Sequence, residues 1–428
     1  MQSDASHSKL RVLIVGHSLC PEKGSEPGLT WNWAWYLSAL HEIWVIAHPE
    51  FREEVESYLM KHPNSRMHIV WLKGSDWDPS RGQRGVRLHY LKWLSQSVEV
   101  ARQLHAEAHF DIIHHVSLAT VSAPPKLWRL GVPFVWGPMG GAQICPFPLV
   151  HMFGRQSWLE YVRWVRVSLL RFLPALRTTA ARSAAVLASN EETISTLRAA
   201  GATEPLLFPD NGIPDHAFPD KPIYRNELEV VRVLWAGKFE KRKALPLALE
   251  AIRRISQDVR LELYVAGKGE ENDSWRSLST SMGLDRRVHF LGELGSAQMR
   301  EQFRIADIFL FTSIRDSCAS VVLEAMSYGL PVVTLDLHGV GDYMPQDAGI
   351  KVPVGSREET VQSIATALAR MARDPQLRRI SGLAGWEYAR QLRWSKRAEK
   401  MDRIYQQCIA TRTDDLQQDE SPALRTHG

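Results

Sequence analysis

The chain has 428 residues, of which 44% are hydrophobic and 23% charged, an ordinary globular composition and too long for a single core. A net charge of +4 is too weak to argue a nucleic-acid partner, and none is expected. Four widely separated cysteines with no C-x-x-C pair suggest no zinc site and fit a reduced, cytoplasmic setting.

In chain order, residues 1–9 are polar and Arg11 to Val15 reads as a first strand, too short for the apolar core of a secretory signal. A loop from Gly16 to Gly28, containing Gly-Ser-Glu-Pro-Gly, leads into a Trp-rich helix from Leu29 to Leu40 and a strand from Ile43 to Ala47. Strand, glycine loop, helix, strand is the opening of a Rossmann-like unit, although the G-x-G-x-x-G fingerprint is absent. Further strands are expected at His68 to Leu72, Asp111 to Val116, Pro133 to Trp136, Ala184 to Ser189 and Pro205 to Phe208. A long helix from Leu88 to Glu107 and a helix-rich insertion, about Phe147 to Ser183, interrupt them.

The polar, proline-rich stretch Pro209 to Leu228 reads as a linker. A second alternation follows, with strands beginning at Val231, Leu261, Val288, Ile308, Val332 and Ile350. The expected fold is α/β, two facing Rossmann-like domains with a ligand cleft between them. The expected division is 1–208, 209–392, a closing helix at 393–410 and a disordered tail at 411–428. No apolar run approaches the roughly 18–20 residues that span a bilayer.

The most informative stretch is Phe311 to Thr334. A strand ends at Phe311, a polar loop follows, and a helix from Val321 to Tyr328 closes at Gly329 before Pro331. Ligands of such units collect at the carboxyl ends of the strands. Two carboxylates, Asp316 and Glu324, sit here with seven residues between them. Upstream, Gly237 and the cations Lys238, Lys241, Arg242 and Lys243 follow a strand and precede a helix, a combination suited to a pyrophosphate. Gly267 and Gly292 end the next two strands, where glycine admits a ligand to the backbone or simply makes a turn.

The segments Phe-Thr-Ser-Ile-Arg-Asp-Ser-Cys-Ala-Ser-Val-Val-Leu-Glu-Ala-Met and Gly-Lys-Phe-Glu-Lys-Arg-Lys-Ala resemble the donor-site signatures of glycosyltransferase family 4, a retaining family of GT-B architecture. The resemblance covers about residues 205–409 and is looser before them. It implies a glycosyltransferase that moves a sugar from a nucleotide diphosphate sugar to a glycan or polyprenyl-linked acceptor, as in cell-surface polysaccharide synthesis. It implies no metal and no cofactor beyond that co-substrate.

Carried over residue by residue, Glu324 holds the ribose and Asp316 stands where the family has a glutamate that reaches the hexose. Lys243 and Lys238, the latter in place of the usual arginine, neutralise the diphosphate. The amides around Ser320 and Val321 stabilise the leaving phosphate. His114 or His115 approaches the reacting sugar, and Gly24, Glu26, Gly140 and Gly141 stand on the acceptor side.

The motif Asp76-Trp77-Asp78 imitates a metal-binding D-x-D but lies far in sequence from the donor elements. The insertion from Trp158 to Arg182 mixes large apolar residues and arginines with one acid, Glu160. It reads either as a packed helix with a solvated arginine face or as a helix on an anionic membrane surface. Two other readings use the same residues: a sugar-nucleotide epimerase, for which no second carboxylate set is found, and a non-catalytic sugar-nucleotide-binding partner.

Overall fold

The computed structural model describes residues 9–21, 23–74, 82–223 and 229–420. Asp76 and Asp78 lie outside them. The first sheet contains β1 (Arg11–Gly16), β2 (Glu42–Ala47), β3 (Met67–Trp71), β4 (Ile112–Ser117), β5 (Phe134–Met139), β6 (Ala185–Ala188) and β7 (Leu206–Leu207). The second contains β8 (Val231–Ala236), β9 (Leu261–Ala266), β10 (Val288–Gly292), β11 (Ile308–Phe311), β12 (Val332–Leu335) and β13 (Gly349–Val352).

The orders are β3-β2-β1-β4-β5-β6-β7 and β10-β9-β8-β11-β12-β13. Every pairing is parallel. Both sheets therefore reverse direction at a switch point, between β1 and β4 in one and between β8 and β11 in the other, where the loops at the carboxyl ends part to admit ligands. The chain has the GT-B architecture of two Rossmann-like domains.

Strand side chains alternate between two cores. Along β8, Val231, Val233 and Trp235 enter one apolar cluster while Leu234 and Ala236 enter the cluster on the other face. Strands buried on both faces read as near-continuous apolar runs, which is why they stand out in the sequence.

At the end of β9 the glycines are required by packing. At Gly267 φ is +136°, and a Cβ would stand 2.0 Å from the Gly237 carbonyl oxygen. A Cβ on Gly269 would meet the Phe239 oxygen at 2.5 Å. The loops after β8 and β9 are thus pressed backbone to backbone. Gly267→Ala is expected to cost about 3 kcal/mol in urea unfolding, from left-sided backbone strain and the clash together. A loss below about 0.5 kcal/mol would show that the loops separate freely.

Two expectations change. The Gly-Ser-Glu-Pro-Gly segment is not all loop: the helix runs Ser25–Leu37, with Pro27 in its first turn. Gly28 is needed there because a Cβ would meet the Lys23 carbonyl at 2.1 Å. The final helix runs Trp394–Glu420, beyond the 411 at which a disordered tail was expected.

The closing helix packs on the first domain. The chain crosses back at Leu392, where the Ile213 N–H donates to the Leu392 carbonyl and the Trp394 N–H to the Ile213 carbonyl. Trp394, Ala398, Met401 and Tyr405 then join the first domain's cluster with Trp33 and Leu37. The two crossings, near 213 and 393, run side by side and link the domains.

Candidate functional site

Two of the cavities lined by both domains lie at the loops that follow the switch-point strands. The larger, about 650 Å³, is lined by Gly24, Gly28, Asn32 and Tyr36 of the first domain and by Ser320, Glu324 and Arg300 of the second. The smaller, about 240 Å³, is lined by Glu26, Thr120, Gly140, Gly141, Gln143 and Arg163, with Asp210 and Ser317. Leu29 lines both.

The structure thus brings Glu324, Ser320 and Gly24 to one cavity and Glu26, Gly140 and Gly141 to the other. Gly140 lies against the second domain: a Cβ on it would stand 2.8 Å from the Ser317 Cβ. Glu324 and Ser320 share the short helix Ser320–Ser327, and its first residue, Ser320, lines the larger cavity. The Glu324 side chain is open to the cleft, yet surrounding protein displaces enough solvent to raise its pKa against a hydrogen bond from Ser320.

Asp316 is placed differently from the expectation. It accepts from Lys243 Nζ at close range and from Arg242 Nη1 at 3.2 Å, and its Oδ1 accepts from the Ser317 N–H at 3.1 Å. Burial works against its charge, but Lys243 and Arg242 outweigh it and hold the pKa below the ordinary value. The loop residue that lines the smaller cavity is Ser317, not Asp316.

The donor loop and the basic loop after β8 are laced together. The Ile314 N–H and Ser313 Oγ both donate to the Arg242 carbonyl, at 2.9 and 3.1 Å. Thr312 Oγ1 donates to the Lys243 carbonyl at 2.9 Å and accepts from Trp235 Nε1 at 3.0 Å. Lys238 is exposed and pairs with Glu240 at 2.8 Å. Lys238, Lys243, Gly237 and Gly267 line neither cavity.

The histidines are interior. His114 and His115 are both fully buried in β4. His114 Nε2 lies 2.6 Å from the Gly137 carbonyl and Nδ1 2.6 Å from the Tyr405 hydroxyl. A carbonyl only accepts, so Nε2 carries the proton and Tyr405 donates to Nδ1. Burial lowers the His114 pKa to about 4 and the His115 pKa to about 3. A neutral ring clamped between a strand and the final helix is a packing element, and neither histidine lines the cleft cavities.

Sequence reasoning passed over Asp210, Gln143, Arg163 and Ser317. Asp210 sat inside a stretch read only as linker. Enclosure raises its pKa to about 6, opposed by Cys318 and Arg397, and raises that of Glu26 to about 7, with Asp210 adding repulsion. The Glu26 Oε2 accepts from the Leu118 N–H at 3.0 Å. Two carboxyls titrating near neutrality in one small polar cavity can accept from, or orient, a sugar hydroxyl.

Comparisons with known proteins bear on the second domain and on the fold. Residues 231–372 match the family model described as glycosyl transferases group 1. Over 180 residues the chain is 31% identical to a phosphatidyl-myo-inositol mannosyltransferase of Mycobacterium leprae, covering 41% of this chain and 46% of that protein. Over 147 residues it is 29% identical to the lipopolysaccharide core biosynthesis glycosyltransferase LpsE of Rhizobium meliloti, covering 34% and 41%. The chain therefore spans less than half the length of these relatives.

Among solved structures, sucrose-phosphate synthase from Thermosynechococcus elongatus superposes with a TM-score of 0.64 at 17% identity, over 94% of this chain and all of that one. Anabaena HepE in complex with UDP and glucose gives 0.57 at 16%, over 95% and 100%. At such identities these two show the fold alone. Residues 231–372, which hold β8 to β13, thus match the group 1 glycosyl transferase model, within a chain of two Rossmann-like domains.

Proposed function

We propose that this chain is a glycosyltransferase that transfers a sugar from a nucleoside diphosphate sugar to a glycan or polyprenyl-linked acceptor in cell-surface polysaccharide synthesis, with retention of configuration. The observation that carries the reading is the larger cleft, which Glu324 and Ser320 of the helix Ser320–Ser327 line together with Gly24 and Gly28 of the first domain. Glu324 accepts the two ribose hydroxyls. The diphosphate lies along the helix start, with Lys243, held by the neighbouring loop at Asp316, as its cation. The relatives named as a phosphatidyl-myo-inositol mannosyltransferase and a lipopolysaccharide core biosynthesis glycosyltransferase support a lipid-linked or glycan acceptor.

In the reaction the bond from the anomeric carbon to the diphosphate oxygen breaks and the acceptor hydroxyl oxygen bonds to that carbon on the same face. The hydroxyl proton passes to the departing phosphate oxygen. The smaller cavity holds the acceptor, with Glu26, Asp210 and Ser317 as its hydrogen-bonding groups. Asp316 acts through Lys243, fixing the ammonium until a phosphate competes for it. No resident metal or cofactor takes part. The enzyme works at the cytoplasmic side of a membrane; among the described residues no helix is long and apolar enough to cross one.

One observation favours a second reading, a non-catalytic sugar-nucleotide-binding subunit: Asp316 already neutralises Lys243. A panel of nucleoside diphosphate sugars separates the two, with hydrolysis and transfer followed in the presence of chelator. The enzyme reading expects turnover with at least one donor and no loss on chelation. Tight nucleotide binding without turnover of any donor would leave only the second reading.

A further inference from the structure

The insertion after β5 has its apolar surface on the wrong side for a packed helix. Within the helix Ser157–Leu170, Trp158, Val162, Val165 and Leu169 recur at four, three and four residues, and all four are exposed, Trp158 by 61% and Leu169 by 58%. Tyr161 and Phe172 extend the same surface. Ten of the seventeen exposed large apolar side chains among the described residues fall between Phe147 and Leu173. Such a concentration is not the scatter normal on a protein surface.

The inward stripe of the same helix is Glu160, Val167 and Leu170, with Arg163 half-buried beside them. Glu160 accepts from Arg315 Nη1 at 3.0 Å, in the loop that carries Asp316 and Ser317. Arg163 Nε donates to the Gln143 carbonyl at 2.9 Å and lines the smaller cavity. One side of the helix is thus a wall of the acceptor-side cavity, and the other side is bare and apolar.

The charge pattern names the occupant. From Phe147 to Arg182 the only acid is Glu160, and it faces inward. Arg155, Arg166, Arg171, Arg177 and Arg182 are all exposed. An apolar stripe bordered by cations and free of exposed acid complements an anionic lipid surface. It does not complement a second copy of itself, which would set arginine against arginine along only two heptads.

We propose that Phe147 to Arg182 is an in-plane contact for an anionic phospholipid bilayer, which brings the smaller cavity to within one helix diameter, about 10 Å, of the lipid surface. The inference stands apart from catalysis, since its readout is lipid binding. The test is flotation of the full chain with phosphatidylcholine vesicles, with and without about 30% phosphatidylglycerol. The anionic vesicles are expected to carry most of the protein, and the neutral ones little.

Val165→Glu combined with Leu169→Glu is expected to lower binding at least about tenfold, because it places charge in the exposed apolar stripe that would enter the lipid. Arg166→Glu combined with Arg171→Glu should remove the preference for anionic vesicles. All four positions are exposed, so the wild-type melting curve should persist in both variants. Absence of flotation at low salt, or flotation unchanged in both variants, would overturn the proposal. So would a dimer in light scattering that the glutamate pair dissolves while vesicle binding stays absent.

Discussion

Glu324→Ala is expected to lower kcat/KM by about 4 kcal/mol, roughly a thousandfold, with a matching loss of nucleoside diphosphate affinity in calorimetry. The size follows from two charge-assisted hydrogen bonds made by one carboxylate, each contributing about 1.5–3 kcal/mol. Glu324→Gln keeps one acceptor oxygen and should fall between. The walls of the cleft raise the Glu324 pKa, so the carboxylate is lost at a higher pH than an exposed glutamate would lose it. Nucleotide affinity should therefore weaken as pH falls through that raised value and hold steady above it. Unchanged transfer by the alanine variant would remove Glu324 from the site and leave the cleft without its main donor contact.

Much of this site was legible because its grammar is local. A strand buried on both faces, a glycine at its end, a polar loop and a helix stopped by Gly329 before Pro331 are signals within some twenty residues, and the structure places a helix at Ser320–Ser327 between β11 and β12. What was not legible depends on partners distant in sequence. Asp316 sits in the expected loop, but its engagement with Lys243, 73 residues earlier, shows only once β8 and β11 lie side by side.

His114 invites a catalytic reading at a strand end until Tyr405, 291 residues later, turns out to be its partner. Pro27 was a helix-start signal that a glycine-rich reading of the same five residues obscured. The insertion was ambiguous in principle: periodicity shows that a helix has two faces, but not which one meets the protein. Glu160 decides it, by turning inward to Arg315.

Arg397→Met is expected to destabilise the chain by about 3–5 kcal/mol, the range for leaving a buried charge without its partner. Arg397 is 2% exposed. Its guanidinium lies 4.7 Å from the Phe208 ring centre, 5.1 Å from Trp394 and 5.2 Å from Trp33, and it donates to the Pro209 carbonyl. It thereby fastens the final helix, the first domain and the start of the linker at the place where the chain crosses between domains.

It is also one of the charges that lower the Asp210 pKa against a larger effect of burial, with the net value near 6. The folded pKa of Asp210 lies above its ordinary 3.8, so charging it opposes folding, and that cost develops as pH rises through about 6. Without Arg397 the cost grows and extends to higher pH. The stability deficit of Arg397→Met in urea unfolding should accordingly be larger at pH 8 than at pH 5, where Asp210 is largely protonated in both proteins. A deficit independent of pH would mean that Arg397 acts through its aromatic cage and the Pro209 carbonyl alone. A deficit below about 1 kcal/mol at both pH values would mean that the crossing point is held by apolar packing, with the buried cation incidental.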